Sequence, residues 1–239
     1  MNRDTVSVFA KEILSAEVKP IEPVFVDLQK DIVYLNAKSD IPVLYRKNEL
    51  NSLFELNYRY EIGTTSILND GLNRYIPLAT EYINYLGTDS LTAEEVQQQF
   101  YQLGCHFDIS CNMRTTTISL SGLQENMDKA VALMEKVLSS AKPDSEALQK
   151  LIVTKLQERE NILNVFDAYS YFLRKYLQYG LPGVELELTN DELRAAVDKA
   201  DVLLDIIKGL SHYQHTITYY GHMEENNLLA LINDNHKTD

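Results

Sequence analysis

The chain has 239 residues, of which 45% are hydrophobic and 24% charged, with only 9 glycines and 6 prolines. This composition predicts an ordered globular chain with one core, or at most two, and argues against a disordered segment. The formal net charge of -13 argues against a nucleic-acid partner and against binding to a membrane surface, because both depend on clustered lysine and arginine, which number only 22.

The sequence shows no membrane or secretion signal. No run approaches the roughly 18 consecutive apolar residues of a membrane span, and the residues after Met1 lead into no signal-peptide core. The compartment stays open, because residues 16–23 resemble an inter-domain linker and Met1 need not be the natural start. We interpret residues 1–30 as a linker or N-terminal extension and residues 31–239 as a single domain.

The first elements along the chain are β-strands. Two short β-like runs, residues 32–35 and 43–45, precede a run at residues 53–62 in which large apolar residues alternate with Glu, Asn and Arg. This period of two predicts a strand with one buried and one solvent-exposed face.

Two helices should follow. Apolar residues spaced three and four apart from Leu72 to Leu86 predict an amphipathic helix that ends at Gly87, with Pro77 at its start or at a kink. A capping-box pattern from Thr92 to Glu95 predicts the start of the second helix, which stops at residue 104.

The remaining elements are a hairpin, a block of helices and a final strand and helix. Strand-like runs at 105–111 and 115–121 predict the hairpin. Apolar patterns then predict helices around 127–138, 148–156, 168–178, 191–196 and 201–208, a strand at 214–220 and a tail helix with Leu228, Leu229 and Ile232. This order predicts an α+β fold in which helices pack on one face of a mainly antiparallel sheet.

The cysteine and histidine residues give little support for a disulfide, a thiol nucleophile or a metal site. Cys105 and Cys111 are six residues apart, which in a strand separates their Cα atoms by roughly 20 Å, too far for a disulfide, so we expect free thiols. His106 adjoins Cys105, but strand neighbours face opposite sides, which disfavours a nucleophile–base pair. His212 and His215 likewise cannot chelate one ion from a strand. With His222, they are interpreted as surface or packing positions.

Other catalytic motifs are absent from the sequence, which has no Gly-rich phosphate loop, nucleophile elbow or Cys-x-x-Cys. The 15 tyrosines include clusters that could line a peptide-binding wall, since a phenol combines contact area with a hydrogen-bonding tip. Packing in the core and between domains is the favoured interpretation. The clusters are Tyr58/Tyr60, Tyr82/Tyr85, Tyr169/Tyr171/Tyr176/Tyr179 and Tyr219/Tyr220.

Residues 78–88, which read Leu-Ala-Thr-Glu-Tyr-Ile-Asn-Tyr-Leu-Gly-Thr, resemble the centre of the pitrilysin/insulinase family of zinc peptidases. That family carries the inverted zinc motif His-x-x-Glu-His on a helix, with Gly-Thr beginning five residues after the second His. Gly87 and Thr88 stand at that offset from Tyr82. The order of strand, motif helix, Gly-ended helix and hairpin also matches, so that the resemblance covers roughly residues 31–232.

The resemblance implies that this chain has lost the metal. The two His ligand positions hold Leu78 and Tyr82, and only the position of the catalytic base is kept, as Glu81. The downstream ligand glutamate falls at Glu158 or Glu160, and both separations resemble that of the family. We therefore expect the chain to bind no zinc and to cut no peptide on its own.

Members of this family often pair a zinc-bearing domain with a degenerate one, and their facing sheets enclose a peptide-binding chamber. The resemblance therefore implies a homologous zinc-bearing partner domain, in the same polypeptide or in a separate chain, which supplies the zinc cofactor. This chain would enclose and position the peptide substrate. Two alternatives stay open, a structural subunit without a proteolytic role and an unrelated peptide-binding α+β module. The second alternative would gain support from a topology that lacks the strand, helix, helix, hairpin order.

Overall fold

The computed structural model describes residues 6–17, 20–23, 25–66, 69–162, 166–185 and 187–237. Residues 1–31 and residues 32–239 form two compact units. In the first unit, α1 (Val8–Ser15) begins after Ser7, whose hydroxyl accepts a hydrogen bond from the N–H of Ala10, and α2 (Leu28–Asp31) is a single turn. Their shortness explains why this region reads as a linker in the sequence.

The second unit is built on a mixed sheet. Its described strands are β1 (Val33–Asn36), β2 (Pro42–Lys47), β3 (Leu53–Tyr60), β4 (Cys105–Cys111), β5 (Thr116–Leu123) and β6 (His215–Gly221). They lie in the order β1-β2-β6-β3-β5-β4, and all neighbours are antiparallel except β2 and β6. The predicted α+β fold is confirmed, but the sheet is mixed. Alternation of residues reports which face is buried and carries no information on strand direction.

Helices form the second layer of this unit. The described helices are α3 (Ile76–Tyr82), α4 (Ala93–Gln102), α5 (Met127–Ser140), α6 (Ser145–Ile162), α7 (Phe166–Glu185), α8 (Asn190–Ala195), α9 (Ala200–Lys208) and α10 (Glu225–Asn235). The capping box predicted for α4 is present, with Thr92 and Glu95 bonded to each other's backbone N–H. Among the described residues, no helix combines the length and apolar character that a membrane crossing requires.

The helix predicted across residues 72–86 is shorter than expected. Its first part is a 3-10 helix (Asn69–Tyr75), α3 begins only at Ile76, and a 3-10 turn (Ile83–Tyr85) ends it. Pro77 lies in the first turn of α3. Proline lacks a backbone N–H and its ring excludes the preceding turn of α-helix, so the regular helix cannot extend upstream through this position.

The helices cover one face of the sheet, as predicted. On β3, Phe54, Leu56, Tyr58 and Tyr60 are each at most 3% exposed, whereas the residues between them are exposed or half-buried. Burying each such side chain stabilises the fold by roughly 1.5–3 kcal/mol. The helices α3 and α5 pack against the strands of the hairpin β4–β5 on this covered face. Both cysteines are free thiols, as predicted.

Candidate functional site at the degenerate motif helix

The segment that leads into α3 is fastened to α8 by an ion pair. Arg74 donates from Nη1 and Nη2 to the two carboxylate oxygens of Glu192, each at 2.6 Å. The same carboxylate caps α8 by accepting from the N–H of Thr189 at 2.7 Å. Hydrogen bonds from Arg74 are the main cause that lowers the pKa of Glu192 to about 2. This stabilisation is therefore present above the ordinary glutamate pKa and lost as the pH falls toward 2.

Both positions at which the zinc motif would have histidine are buried on α3. Leu78 is 5% exposed and Tyr82 is 1% exposed. Four residues apart, they lie on the same face of the helix, and α3 packs mainly against α9 and β4. This is the spacing that a metal-binding pair needs, but here both side chains belong to the hydrophobic core.

The hydroxyl of Tyr82 binds the start of α6 through two hydrogen bonds. It accepts a hydrogen bond from the N–H of Asp144 at 2.6 Å and donates to the carbonyl of the same residue at 2.9 Å. Asp144 in turn caps α6, because its Oδ1 accepts from the N–H groups of Glu146 and Ala147. Burial raises the pKa of the Tyr82 phenol, which disfavours the phenolate that a metal would select.

Glu81, at the position of the catalytic base, is bound by an ammonium group. Its Oε1 lies 2.6 Å from Nζ of Lys155 on α6. Lys155 Nζ also lies 3.6 Å from Oε2 of Glu158, one helical turn further along. The side chain of Lys155 is 29% exposed, against 43% for Glu81 and 55% for Glu158. A single positive charge thus stands between the base position and one of the two candidate ligand positions.

The contact with Lys155 distinguishes the two candidate glutamates. Glu158 and Glu160 are two residues apart on α6, so their side chains leave the helix about 200° apart. Glu158 shares the side of α6 on which Lys155 meets α3, and Glu160 is exposed on another side. The assignment of either residue to the position of a zinc ligand stays a prediction.

The Gly-Thr pair after the motif helix is explained by a tight turn. A Cβ atom on Gly87 would come within 2.4 Å of the carbonyl oxygen of Leu91, so a larger residue would displace the backbone. The N–H of Thr88 donates to that carbonyl at 2.7 Å, and the N–H of Lys142 donates to the carbonyl of Gly87 at 3.0 Å. Backbone hydrogen bonds and close packing therefore hold the Gly-Thr turn in place after α3.

The residues at this site do not fit a zinc ion. A catalytic zinc takes three protein ligands, usually His and carboxylate, and leaves one position for water. The ligand positions on α3 offer an alkyl side chain and a phenol whose hydroxyl is occupied. In the part of the chain that the structure describes, no three His, Cys, Asp or Glu side chains are placed to bind a metal ion. Glu81 therefore has no metal-bound water to activate here.

Several site features were missed by sequence reasoning. Lys155 was not singled out. Its i, i+3 spacing from Glu158 is typical of an ion pair on a helix, but Glu158 lies beyond the helix predicted around residues 148–156. His215 is buried, whereas His212 and His222 are exposed, which agrees with packing and surface positions.

The predicted packing of tyrosines in the core holds for some of them, but the tyrosines on α7 are exposed. The buried tyrosines are Tyr45, Tyr58, Tyr60, Tyr82 and Tyr219, and the exposed ones on α7 are Tyr169, Tyr171, Tyr176 and Tyr179.

Comparison with known proteins identifies the fold. No protein-family model and no curated protein sequence matches the chain. Among solved structures, the inactive domain of an M16 peptidase from Pseudomonas fluorescens superposes with a TM-score of 0.70 and 14% identity, covering 85% of this chain and 49% of that one. The periplasmic protease PqqL from Escherichia coli gives a TM-score of 0.70 at 16% identity, covering 96% of this chain and 28% of PqqL.

A third solved structure is the ferredoxin protease FusC in complex with Arabidopsis ferredoxin, with a TM-score of 0.62 and 15% identity, covering 93% of this chain and 26% of FusC. At sequence identities of 14–16%, the structural similarity shows that this chain shares the fold of these proteins. The resemblance to the pitrilysin-like peptidases is confirmed at that level, since the neighbours include the inactive domain of an M16 peptidase and a putative M16-like peptidase. The chain spans about half or less of the length of these structures.

Proposed function

We propose that this chain is a non-catalytic domain of a zinc metalloendopeptidase, which encloses and positions peptide substrate for a homologous zinc-bearing domain. The observation that carries the proposal is the state of α3. Its fold and its Gly-Thr turn are kept, while Leu78 and Tyr82 are packed in the core and Glu81 is paired with Lys155. The scaffold of the peptidase domain therefore persists without its reaction centre.

Hydrolysis in such an assembly would take place at the partner domain. A zinc ion there would polarise the peptide carbonyl and lower the pKa of its bound water. This chain can contribute orientation, which lowers the barrier by holding the reacting groups in place. Because the chain covers between 26% and 49% of the neighbouring structures, a partner domain of the same fold has room in each of them.

The uncovered face of the sheet is the surface best suited to a peptide. It carries hydroxyl side chains from β5 and β6, the two strands that pair with β3, and these hydroxyls can bind peptide N–H and C=O groups. Asn57 on β3 donates to the hydroxyl of Thr218 on β6 at 3.3 Å, and charged Glu55 and Arg59 flank this pair along β3. The half-buried hydroxyl residues of this face are Thr117, Ser119, Ser121, Thr216 and Thr218.

The first test is reconstitution. Adding the chain to its zinc-bearing partner domain should raise cleavage of an unstructured peptide well above the activity of the partner alone. Thr218→Arg places a long charged side chain on the uncovered face and should raise KM about tenfold, with little change in stability. A tenfold rise corresponds to the loss of about 1.4 kcal/mol of binding free energy. Thr154→Arg, an exposed position on α6, is the matched control and should leave KM unchanged.

The structural-subunit alternative gives a different result in the same experiment. Under that alternative the partner is equally active with and without this chain, or no peptidase activity appears in either mixture. The unrelated-module alternative gains no support from the topology, because β3, α3, α4 and the hairpin β4–β5 follow one another in the order whose absence would have favoured it. Equal KM values for Thr218→Arg and Thr154→Arg would remove the substrate-positioning role from the uncovered face.

A further inference from the structure

Three buried titratable side chains form a continuous hydrogen-bonded chain on the helix-covered side of the sheet. Nδ1 of His215 lies 3.0 Å from the carbonyl oxygen of Tyr213. Nε2 of His215 lies 2.9 Å from Nε2 of His236, and Nδ1 of His236 lies 2.7 Å from Oε1 of Glu135. His215 is 5% exposed, and the side chains of His236 and Glu135 are 5% and 8% exposed. Water therefore does not compete for these bonds.

The chain of hydrogen bonds joins three elements of the fold, and a fourth packs against it. Glu135 lies on α5, His215 begins β6 and His236 directly follows α10. From β3, the ring of Tyr58 lies 4.3 Å from that of His236, and the ring of Tyr60 lies 4.6 Å from that of His215. Burial raises the pKa of both phenols far above the usual range, so they stay neutral and change neither the charge nor the proton count of the cluster.

The geometry fixes the number of protons that the cluster holds. A carbonyl only accepts, so Nδ1 of His215 must carry a proton toward Tyr213. The bond between the two Nε2 atoms and the bond between His236 and Glu135 each need one more. Three hydrogen bonds thus require three protons, whereas a carboxylate with two neutral imidazoles has two. The complete chain holds one additional proton and is neutral overall, whether that proton is on His236 or on Glu135.

The position of the additional proton follows from the surroundings. Burial lowers the pKa of His215, and the neighbouring His236 acts in the same direction, so His215 is the neutral imidazole. His236 is then the imidazolium that pairs with the Glu135 carboxylate. Their separation of 2.7 Å is typical of a charge-assisted hydrogen bond.

We propose that Glu135, His236 and His215 form a pH-sensitive latch, which holds the end of α10 in place while the cluster contains this one additional proton. The rest of α10 is held by burial of Leu228 and Ile232. Other charged residues at this end of α10 are Lys38, whose Nζ donates to the carbonyl of Asn233 at 3.0 Å, and Asp234 and Lys237, which are exposed. The latch is independent of the proposed peptidase role.

The direction of the pH dependence follows from proton counting. Opening of the latch exposes both imidazole rings to water, and an exposed imidazole has an ordinary pKa of about 6.5. Below that pH the open state binds one proton more than the latched state, so acid favours opening. Above it the open state binds one proton fewer, so alkali also favours opening. Docking of α10 is therefore strongest near pH ~6.5 and weakens by up to about tenfold per pH unit on both sides.

Amide hydrogen exchange of the full chain tests the latch. The protection factors of the α10 amides, corrected for intrinsic exchange between about pH 5 and pH 8.5, should pass through a maximum near pH ~6.5. His106→Gln, an exposed control on β4, should keep this maximum, and His236→Gln should abolish it. A monotonic or flat profile in the wild-type chain, or a maximum that survives His236→Gln, overturns the proposal.

A spectroscopic measurement on the unaltered chain covers the case in which His236→Gln does not fold. Imidazole 15N chemical shifts near pH ~6.5 should show both nitrogens of His236 protonated and only Nδ1 of His215 protonated. Two neutral rings at that pH with Glu135 ionised, or two rings that titrate together with His106, would contradict the latch.

Discussion

Leu78→His should lower the free energy of unfolding by about 3 kcal/mol, because it removes a buried aliphatic side chain and places an imidazole without a partner in the core. Leu78 is 5% exposed and α3 packs against α9 and β4. The substitution restores the histidine of the zinc motif at this position, but the rest of the ligand set is missing. Zinc should therefore give no recovery.

Urea denaturation with zinc and with a chelator measures this effect. Leu78→Met is the control, and a volume-conserving change of this kind should cost less than about 1.5 kcal/mol. Zinc that restores the stability of Leu78→His would mean that a ligand set remains, since a ligand that binds only the folded state stabilises it by mass action.

Tyr82→Phe should lower the free energy of unfolding by about 1–2 kcal/mol, because the N–H and C=O of Asp144 both lose their partner. The loss should also loosen the start of α6, which carries Lys155. Tyr85→Phe removes a hydroxyl three residues away, on a side chain that is 49% exposed, and should change stability by less than about 0.5 kcal/mol. Equal unfolding midpoints for the two variants would show that the Tyr82 hydroxyl does not fasten α3 to α6.

Much of the fold was accessible from local patterns. The alternation in β3 predicts its buried face, and the capping box from Thr92 to Glu95 predicts the start of α4. Both signals are local, because they depend on residues two to four apart. The parallel pairing of β2 with β6 was not predictable in this way, since Val43 and Ile217 meet only in the folded sheet.

In the candidate site, too, the features that depend on local spacing were predictable and those that depend on tertiary packing were not. Leu78, Glu81 and Tyr82 were identified because the motif spacing is local and the turn at Gly87 keeps the frame. The pairing of Glu81 with Lys155 depends on how α3 and α6 pack, which no spacing in the sequence reveals. The cluster of Glu135, His215 and His236 was missed for this reason, because Glu135 and His236 are 101 residues apart.

The proposal that this domain holds no metal gives a structural role to the packing around α3. A zinc ion would place two positive charges near Glu81 and the downstream carboxylate, whereas here one ammonium, that of Lys155, lies beside Glu81 and Glu158. The two ligand positions contribute burial and hydrogen bonds in place of metal bonds. Under the proposal, packing supplies at this position the stability that structural metal sites gain from coordination.

The most direct test is to measure zinc binding and peptide hydrolysis by the purified chain alone. Metal analysis after equilibration with zinc should find far less than stoichiometric metal, and an unstructured peptide should stay intact over hours, because no metal-bound water is available to Glu81. Stoichiometric zinc together with cleavage that a chelator abolishes would contradict the proposal that this domain has no reaction centre of its own.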